Sequence, residues 1–500
     1  MSGTVNVVDQ VLALCDVAGE LVEGTARADE VERIRARLQG PLRVAIAGRV
    51  KAGKSTLLNA LVGERIAATD AGECTTLVTW FQDGPTYDVR AVTKSGASQT
   101  LAFRRVDGAL SIDLGSIDPQ SIARLVVTWP SSALRDITLI DTPGLASIND
   151  DNSLRTREFL AIGDDRPSDA DAVIYLMRHL HRRDAEFLGA FLDRTVAASS
   201  PINAVAVLSR ADEIGACRSD AMTSARRIAD RYQNDATVQS LCTNVIPVAG
   251  LVAETGLTLR EQEAAALRLL ATTPDEVLDR MLLSADGFCE TMSSDLTVEL
   301  RRDLFDRLGL FGLRLLVREI QDGRSTTAAE MSAYLVAVSG LTDIRALIAE
   351  RFLPRARVLQ SRAALAALRG LARSLGVEDV AAALRLEAEV ERVESSVLEF
   401  SQLRLQHLVL SGIVALSTDQ RVDVDTMLRP GASVGERVGL TTNTAAASIT
   451  AAALEAIDRW RTFAAEPLND SARAEVCEVM ARCYEAVYAE ITGAQRRAGP

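Results

Sequence analysis

Lysine is almost absent from this sequence of 500 residues. Arginine carries nearly all of the positive charge, because only Lys51, Lys54 and Lys94 are lysines among 55 basic residues. Such a preference is typical of a coding bias and says little about function. A lysine kept against it marks a position where arginine does not serve, and Lys51 and Lys54 both lie in the stretch GRVKAGKST.

Positive charge is also in deficit over the whole chain, which has a formal net charge of −13. This balance argues against nucleic acid as a partner and weakens the case for broad attachment to anionic lipid. With 3 histidines in the chain, a His-rich metal site is excluded. The 7 cysteines form no C-x-x-C pair, so free thiols in a reducing cytoplasm are expected.

Long apolar runs are missing, although 48% of the residues are hydrophobic. No run reaches the roughly 18 residues that a membrane-spanning helix needs, so no such helix is predicted. The N-terminal segment lacks a basic region and is interrupted by Asp9 and Asp16. We therefore expect a soluble helix there rather than a signal peptide.

The pattern of apolar residues divides the chain into three parts. Residues 1–40 predict helices. Residues 41–288 alternate short apolar strands with helices, which is typical of an α/β domain with a mixed sheet and helices on both faces. Residues 289–500 lack strand patterns and predict an elongated all-α helical bundle.

The stretch from Gly48 to Ser55 matches G-x-x-x-x-G-K-S, the pattern of a phosphate-binding loop (P-loop). A buried strand is predicted before it, and the helix predicted after it points its N-terminus at the phosphates. Glycine lets the backbone approach the phosphates, and the flexible lysine side chain reaches their β- and γ-oxygens. The alternative is a glycine turn that binds nothing. The predicted nucleotide-binding residues are Gly48, Val50, Lys51, Ala52, Gly53, Lys54, Ser55 and Thr56, with Ser55 also a ligand of Mg²⁺.

A second motif, DTPG, follows the apolar run ITLI. A strand here would carry Asp141 to its carboxyl end, where the carboxylate can hold Mg²⁺ through water, and Gly144 would offer its N–H to a γ-phosphate. A plain turn at a strand end is the alternative. Between the two motifs, a threonine is expected to bind Mg²⁺ when the γ-phosphate is present. Thr75 and Thr76 are both candidates, and each is alternatively an ordinary residue before a strand.

A third motif, SRAD at residues 209–212, occupies the place of the base-specificity pattern N/T-K-x-D of GTPases. The Asp212 carboxylate can accept hydrogen bonds from guanine N1–H and N2–H₂, and adenine lacks this pair of donors. Arg210 replaces the usual lysine and can stack on a base. Asp212 is alternatively only a helix N-cap. The nucleotide-binding residues predicted here, including two small residues that end the next strand, are Ser209, Arg210, Asp212, Val248 and Ala249.

His179 and His181 follow another predicted strand and are candidates for catalytic bases. We expect a surface role for both, because phosphoryl transfer depends on positioning and charge more than on a base.

The order of these motifs, with helices before them and a long helical half after them, resembles the bacterial dynamin-like GTPases. The segments KAGKSTLLNALVG, VTWF and SRADEIGA resemble, more narrowly, the isoniazid-inducible dynamin-like proteins of mycobacteria. In such proteins the switch threonine follows a small residue, as Thr75 follows Cys74, so Thr75 is preferred. The resemblance implies a GTPase head, a helical neck, a trunk whose tip touches lipid, nucleotide-dependent pairing of heads, and membrane remodelling.

The P-loop departs from the dynamin pattern, which often carries Gln and Ser where this chain has Val50 and Lys51. Those residues position the attacking water and a monovalent cation, so their absence argues against fast, cation-dependent hydrolysis. One hypothesis is that the Lys51 ammonium replaces the cation and offsets charge on the transferring phosphate. Lys51, Lys54 and Thr75 are then the catalytic candidates, and the alternative is a solvent-facing Lys51.

The tip of a predicted helical hairpin near residues 366–380 is the candidate for lipid contact, with arginines beside its apolar side chains as at an anionic interface. The alternative is a bundle end with its apolar residues turned inward. The side chains predicted to touch the membrane are Leu368, Leu371, Leu375 and Val377.

Together these patterns predict a GTPase that hydrolyses GTP with Mg²⁺ and couples pairing of its heads to peripheral membrane binding and remodelling. Mg²⁺ would be held by Ser55, Thr75 and Asp141. The expected partners are GTP and GDP, an anionic membrane surface, and a second head from another copy or from a related GTPase. The expected location is the cytoplasm, at the inner face of the plasma membrane. Two alternatives stay open: a regulatory GTPase that acts on a protein without deforming membrane, and a weakly hydrolysing nucleotide-binding partner of a related GTPase.

Overall fold

The computed structural model describes residues 6–67, 77–106, 109–144, 169–179, 184–185, 188, 203–239, 241–290, 296–376, 379–410 and 412–497. Its strands are β1 Leu42–Gly48, β2 Thr79–Gln82, β3 Asp88–Thr93, β4 Ser98–Thr100, β5 Ala102–Val106, β6 Ala109–Asp113, β7 Ile122–Thr128, β8 Ile137–Asp141, β9 Ala172–Met177, β10 Ala204–Ser209 and β11 Val245–Val248.

A nine-stranded sheet with the spatial order β11-β10-β9-β1-β8-β2-β7-β3-β4 forms the centre of the head, while β5 and β6 pair as a separate hairpin. The strands β11, β10, β9, β1 and β8 run parallel to one another, whereas β2 pairs antiparallel with β8. The register sets Ile46 opposite Asp141 and Gly48 opposite Leu176. Because the carboxyl ends of parallel strands meet at one edge, the loops after these strands lie together.

The central strands are buried on both faces. Every residue of β9 and β10 is buried, which explains why these strands are continuous apolar runs in the sequence. Along β1, Ala45 and Ala47 join the apolar cluster on one face, and Val44 and Ile46 join the cluster on the other. The predicted mixed sheet with helices on both faces is confirmed.

The helices of the described ranges are numbered in chain order. Those before or within the head are α1 Val7–Leu21, α2 Ala28–Gln39, α3 Lys54–Val62, α4 Ala221–Gln233, α5 Ala236–Gln239, α6 Gly250–Thr258, α7 Glu261–Ala271, α8 Asp275–Met281, α9 Ala285–Glu290, α10 Val298–Gln321, α11 Ala328–Val338 and α12 Leu341–Leu347. A π-helical turn Ile348–Phe352 and a 3₁₀ turn Leu353–Arg355 follow. The remaining helices are α13 Ala356–Leu375, α14 Val380–Ser396, α15 Leu398–Leu410, α16 Thr418–Met427, α17 Val434–Arg437, α18 Ala446–Ala464 and α19 Ser471–Arg497.

The apolar core of the head continues past residue 288, where the sequence pattern placed its boundary. Helix α10 contributes Leu304 and Phe311 to the cluster on one face of the sheet. Helix α12 contributes Leu341 and Ile344 to the cluster on the opposite face. The loss of strand patterns is therefore a poor guide to the end of the head, because later helices are needed to cover the sheet.

Helices from distant parts of the chain share a third apolar cluster. It joins α1 and α2 with α13 and α14. Leu368, Leu371 and Leu375 are at most 4% exposed inside this cluster. The prediction that they form a lipid-contacting tip is wrong for this structure, because α1 and α2 cover the apolar face of the hairpin. Val377 lies outside the described residues.

The last helices form a fourth apolar cluster, in which α15, α16, α18 and α19 pack together. The fully buried Trp460 of α18 lies in it, and its indole Nε1–H donates to Asp423 of α16 at 3.2 Å. The large helical C-terminal region predicted from the sequence is confirmed.

In the part of the chain that the structure describes, no single helix has the length and apolar composition of a membrane span. One bent pair, Ala328–Val338 with Leu341–Leu375, meets both criteria when the two segments are joined across a 60° bend.

A buried ion pair ties the N-terminal helices to the sheet. Arg37 of α2 donates from Nη2 and Nε to Asp171 Oδ1 at 2.6 and 3.0 Å, and the backbone N–H of Arg43 donates to Asp171 Oδ2 at 2.8 Å. The side chains of Arg37 and Asp171 are 6% and 0% exposed. The pair therefore joins α2 to the starts of β1 and β9.

Asp171→Ala is expected to lower the free energy of unfolding by about 3 kcal/mol, because it leaves a buried guanidinium without its carboxylate. Urea denaturation followed by circular dichroism measures the change. Glu389→Ala is the control, since Glu389 pairs with Arg392 on a helix surface at 2.7 Å and an exposed pair contributes at most about 1 kcal/mol. Equal effects of the two substitutions would contradict a special role for the Asp171 pair.

Candidate nucleotide site

The loop between β1 and α3 has the shape that phosphate binding requires. Gly53, the residue before α3, has a φ of 90°, and Gly48 has a φ of 151°. A Cβ atom on Gly48 would lie 2.5 Å from the carbonyl oxygen of Leu176, so no larger residue fits there. The chain thus turns directly from a buried strand into a helix N-terminus, where unpaired N–H groups can surround an anion.

Lys54 is held beneath this loop. Its Nζ lies 3.4 Å from the carbonyl oxygens of both Gly48 and Arg49. Burial lowers the pKa of Lys54, and the charge of Asp141 opposes part of that shift. A desolvated ammonium whose hydrogen bonds within the described residues are long is well placed to bind phosphate oxygens.

Ser55 and Asp141 lie together and offer oxygen atoms that could hold Mg²⁺. Ser55 Oγ donates to Asp141 Oδ2 at 2.7 Å, while Asp141 Oδ1 is buried and accepts no hydrogen bond from the described residues. Burial raises the pKa of Asp141, and Lys54 and Ser55 oppose that shift. Hard oxygen ligands of this kind fit Mg²⁺. The third predicted ligand, Thr75, lies outside the described residues, as does Thr76, and no other cluster of His, Cys, Asp and Glu suits a metal in the part that is described.

The DTPG segment closes against the P-loop. A Cβ atom on Gly144 would lie 2.8 Å from Val50 Cα, so only glycine fits there. Thr142 Oγ1 donates to the carbonyl oxygen of Ile46 at 3.0 Å and holds the segment to β1. Lys51 is exposed and has a φ of 60°, a left-handed conformation that a residue with a Cβ rarely adopts. The structure therefore brings Val50, Lys51 and Gly144 to the same end of the P-loop.

A cavity of about 160 Å³ lies beside the P-loop, between the starts of α3 and α6 and the end of β10. Asp212 reaches it with a side chain whose pKa burial raises to about 6. The lining residues are Ala52, Gly53, Thr56, Leu57, Leu176, Val207, Ser209, Arg210, Asp212, Glu213, Val248, Gly250 and Leu251. Largely apolar walls that include the Asp212 carboxylate can receive a flat base that presents N–H donors.

Arg210 stands at the mouth of this cavity in a left-handed conformation with a φ of 51°. Its Nη1 lies 2.6 Å from Glu213 Oε1, and Glu213 Oε2 lies 3.3 Å from Nη2 of Arg178. Glu213 was not predicted from the sequence as a site residue, yet it sets the direction of the Arg210 side chain. Ser209 instead donates from Oγ to the carbonyl oxygen of Met177 at 3.2 Å, which joins β10 to β9.

Ala249 is wrongly predicted as a residue that contacts guanine. Its backbone N–H donates to the carbonyl oxygen of Ser339 at 2.9 Å, and the residue is fully buried. Gly340, with a φ of 80°, packs so closely that a Cβ atom would lie 2.2 Å from the carbonyl oxygen of Pro247. Val248, Gly250 and Leu251 line the cavity instead. No local pattern reveals this contact, because Ser339 lies far along the chain from β11.

A left-handed turn follows Asp212. Gly215, Ala216 and Cys217 have φ values of 64°, 60° and 59°. This conformation costs about 1–2 kcal/mol for each residue other than glycine, so other contacts must maintain it. Arg314 of α10 donates from Nη1 to the carbonyl oxygens of Ala216, at 2.9 Å, and of Cys217.

Of the two histidines considered as bases, His179 is exposed at the end of β9. His181 lies outside the described residues.

The chain is similar to members of one known protein family. Residues 44–193 match the sequence model of the dynamin family. The isoniazid-induced protein IniC of Mycobacterium tuberculosis, from two strains, is 38% identical over 470 residues, which are 93% of this chain and 93% of the relative. The bacterial dynamin-like protein of Nostoc punctiforme is 31% identical over 151 residues, 28% of this chain and 21% of that protein.

Two solved chains, from work on an oligomerised bacterial dynamin pair that senses and tethers membranes, align with 98% of this chain. The two alignments cover 76% and 77% of the solved chains, with 12% and 13% sequence identity and TM-scores of 0.29 and 0.31. These scores are too low to support an argument about the present chain. The extent of the match to IniC is sufficient, and the chain belongs to the dynamin family as a bacterial dynamin-like protein of the IniC type.

Proposed function

We propose that this protein binds and hydrolyses GTP with Mg²⁺, and that nucleotide-dependent pairing of its head, with a second copy or a related GTPase, is coupled to peripheral binding and remodelling of a membrane. The observation that carries the proposal is the meeting of three features at one edge of the sheet. These are the buried Lys54 in the P-loop, the Ser55–Asp141 pair, and the cavity that Asp212 lines.

Each residue has a distinct part in this reaction. Lys54 and the N–H groups at the start of α3 bind the β- and γ-phosphates, and Gly144 offers its N–H to the γ-phosphate. Ser55, Asp141 and Thr75 would hold Mg²⁺, whose charge would offset that of the phosphates. Asp212 accepts the N–H donors of guanine, and Arg210 lies where it can stack on the base.

A second candidate function is a nucleotide-binding partner that hydrolyses GTP slowly. It is favoured by the close packing of Val50 against Gly144, because an apolar side chain there cannot orient an attacking water. The two functions differ in whether Lys51 supplies the missing positive charge: it does so in an active GTPase and does not in the slowly hydrolysing partner.

Lys54→Ala is expected to reduce phosphate release from GTP to background, since it removes the ammonium that binds the transferring phosphate. The measurement compares GTP with ATP, with and without anionic liposomes. Lys94→Ala is the control, because Lys94 is an exposed lysine in the turn between β3 and β4 and its loss leaves the rate unchanged. Background turnover in the wild-type protein, with GTP still bound, would instead support the slowly hydrolysing partner.

Lys51→Ala is expected to lower kcat at least tenfold with little change in KM, because its charge acts on the transferring phosphate rather than on the bound nucleotide. Steady-state kinetics with and without added K⁺ provide the measurement. Recovery of turnover by K⁺ in the variant supports replacement of a cation by Lys51. Unchanged turnover would remove Lys51 from the catalytic residues.

GDP binding is expected to weaken about tenfold for each pH unit below about 6, because a proton then occupies the carboxylate that guanine requires. Affinity falls rather than rises at low pH because the raised pKa favours the protonated form of Asp212 in the empty cavity. Isothermal titration calorimetry from pH 5 to pH 8 measures the dependence. Asp212→Asn is the control, since the pH dependence of GDP binding that remains in this variant comes from protonation of the phosphates. The same profile in both proteins would contradict the assignment of Asp212.

Lipid contact belongs, in this proposal, to the end of the bundle that α15, α18 and α19 build. Gln402 contacts Cys483 and Arg404 pairs with Glu475, so α15 and α19 run antiparallel. The loops after α15 and before α19 therefore lie at the same end.

Leu410, Ile413 and Leu468 are exposed at this end of the bundle by 38%, 56% and 99%. Exposed apolar side chains of this kind enter the interface of a membrane. We propose that the protein lies in the cytoplasm and binds the inner face of the plasma membrane.

The double variant Ile413→Asp with Leu468→Asp is expected to lose most of its liposome binding, because each carboxylate opposes entry into lipid. Co-sedimentation with vesicles of an anionic phospholipid provides the measurement. Leu283→Asp is the control, since Leu283 is 73% exposed but lies on the head. Binding that survives in the double variant, or that Leu283→Asp also abolishes, would contradict the assignment.

A further inference from the structure

We infer that Arg314 is a positioning residue for recognition of guanine, because it holds the left-handed turn that follows Asp212. The inference rests on the proposed function, since it concerns how the same cavity reads its base. Arg314 belongs to α10, beyond the predicted end of the head, and the sequence motifs of the site do not include it.

The turn is conformationally unusual. Gly215, Ala216 and Cys217 are all left-handed, and only the first of them is a glycine. Residues with a Cβ rarely adopt this conformation, and then as single residues. Two in succession persist only when the surroundings hold them.

Arg314 supplies that restraint through its whole guanidinium group. Nη1 donates to the carbonyl oxygens of Ala216 and Cys217, while Nε, at 3.2 Å, and Nη2 donate to the carbonyl oxygen of Leu282. One planar group thus joins the turn to the end of α8. A lysine has no equivalent set of fixed donors and could not hold both segments in the same way.

The position of Arg314 is itself fixed. Its neighbours Leu313 and Leu316 are fully buried in the apolar cluster that also contains Ala211. The side chain therefore extends from a packed helix toward the turn, and the turn must adapt to it rather than the reverse.

The path from the turn to the base-reading carboxylate is short. Ala211–Glu213 is a 3₁₀ turn, the N–H of Ile214 donates to the carbonyl oxygen of Ala211, and Gly215 comes next. Because only Glu213 and Ile214 separate Asp212 from Gly215, a change in the conformation of the turn also changes the position of Asp212.

Loss of Arg314 should let Ala216 and Cys217 leave the left-handed conformation and should alter the direction of the Asp212 carboxylate. Contacts with the 2-amino group of guanine are then weakened, whereas the P-loop, which lies on other elements, is unaffected. Base recognition and phosphate binding should consequently separate.

The experiment measures dissociation constants for GDP, inosine diphosphate and inorganic tripolyphosphate. Inosine diphosphate lacks the 2-amino group, and tripolyphosphate lacks the base. Arg314→Ala is expected to weaken GDP about tenfold and to bring the ratio of inosine diphosphate to GDP constants close to one, with tripolyphosphate unchanged. Arg318→Ala is the matched control, because Arg318 lies one turn further along α10, is 71% exposed and pairs with Asp322.

A rescue variant tests the restraint directly. Ala216→Gly removes the Cβ that disfavours the left-handed conformation. Added to Arg314→Ala, it is expected to recover at least threefold in GDP binding, whereas alone it leaves GDP binding within twofold of the wild type. Arg314→Lys, which keeps the charge and avoids a gross loss of folding, is expected to resemble Arg314→Ala in its nucleotide ratio.

An Arg314→Ala protein that keeps the wild-type nucleotide ratio would overturn the inference. Equal weakening of all three ligands would also overturn it, since it indicates a general loss of the fold. A wild-type protein that binds tripolyphosphate but not GDP would overturn the proposed base recognition and this inference together.

Discussion

The parallel pairing of β1 with β8 and β9 is the constraint on which the rest of the site depends. Its register sets Ile46 opposite Asp141 and Gly48 opposite Leu176. A shift of one residue would place Val44 and Ile46 on the face that now packs the smaller Ala45 and Ala47, so close packing on both faces of the sheet holds the register. The polar site is therefore positioned by apolar packing beneath it, and Ser55 meets Asp141 because both strands end at the same edge.

The helical half of the chain also packs against the elements that form the candidate nucleotide site. Ser339 accepts a hydrogen bond from Ala249, Gly340 packs on β11, and Arg345 donates to the carbonyl oxygens of Ala60 and Leu61 at the end of α3. The helix that begins at Gly340 continues, through a π-helical and a 3₁₀ turn, into the cluster with α1 and α2. One run of helix thus connects β11 and α3 of the candidate site with the cluster that α1 and α2 form with α13 and α14.

Burial decides which charged groups in the site are poised to bind ligand. It lowers the pKa of Lys54 and raises the pKa of Asp141 and of Asp212, so each of these groups is less favourably charged than in water. A nucleotide with its metal brings the opposite charges or the hydrogen-bond donors that these groups lack. The same buried groups make the empty site electrostatically costly, which favours binding.

Local spacing and periodic apolar patterns are sufficient to predict the P-loop, the DTPG and SRAD motifs and the division into an α/β head and helical bundles. Tertiary packing determines where the head ends, covers Leu368, Leu371 and Leu375, and joins Ala249 to Ser339 by a hydrogen bond. It also decided that Arg314 reaches the turn after Asp212. Each of these depends on contacts between residues far apart in the chain, and the periodicity of one segment shows that it has an apolar face without showing which other segment covers it.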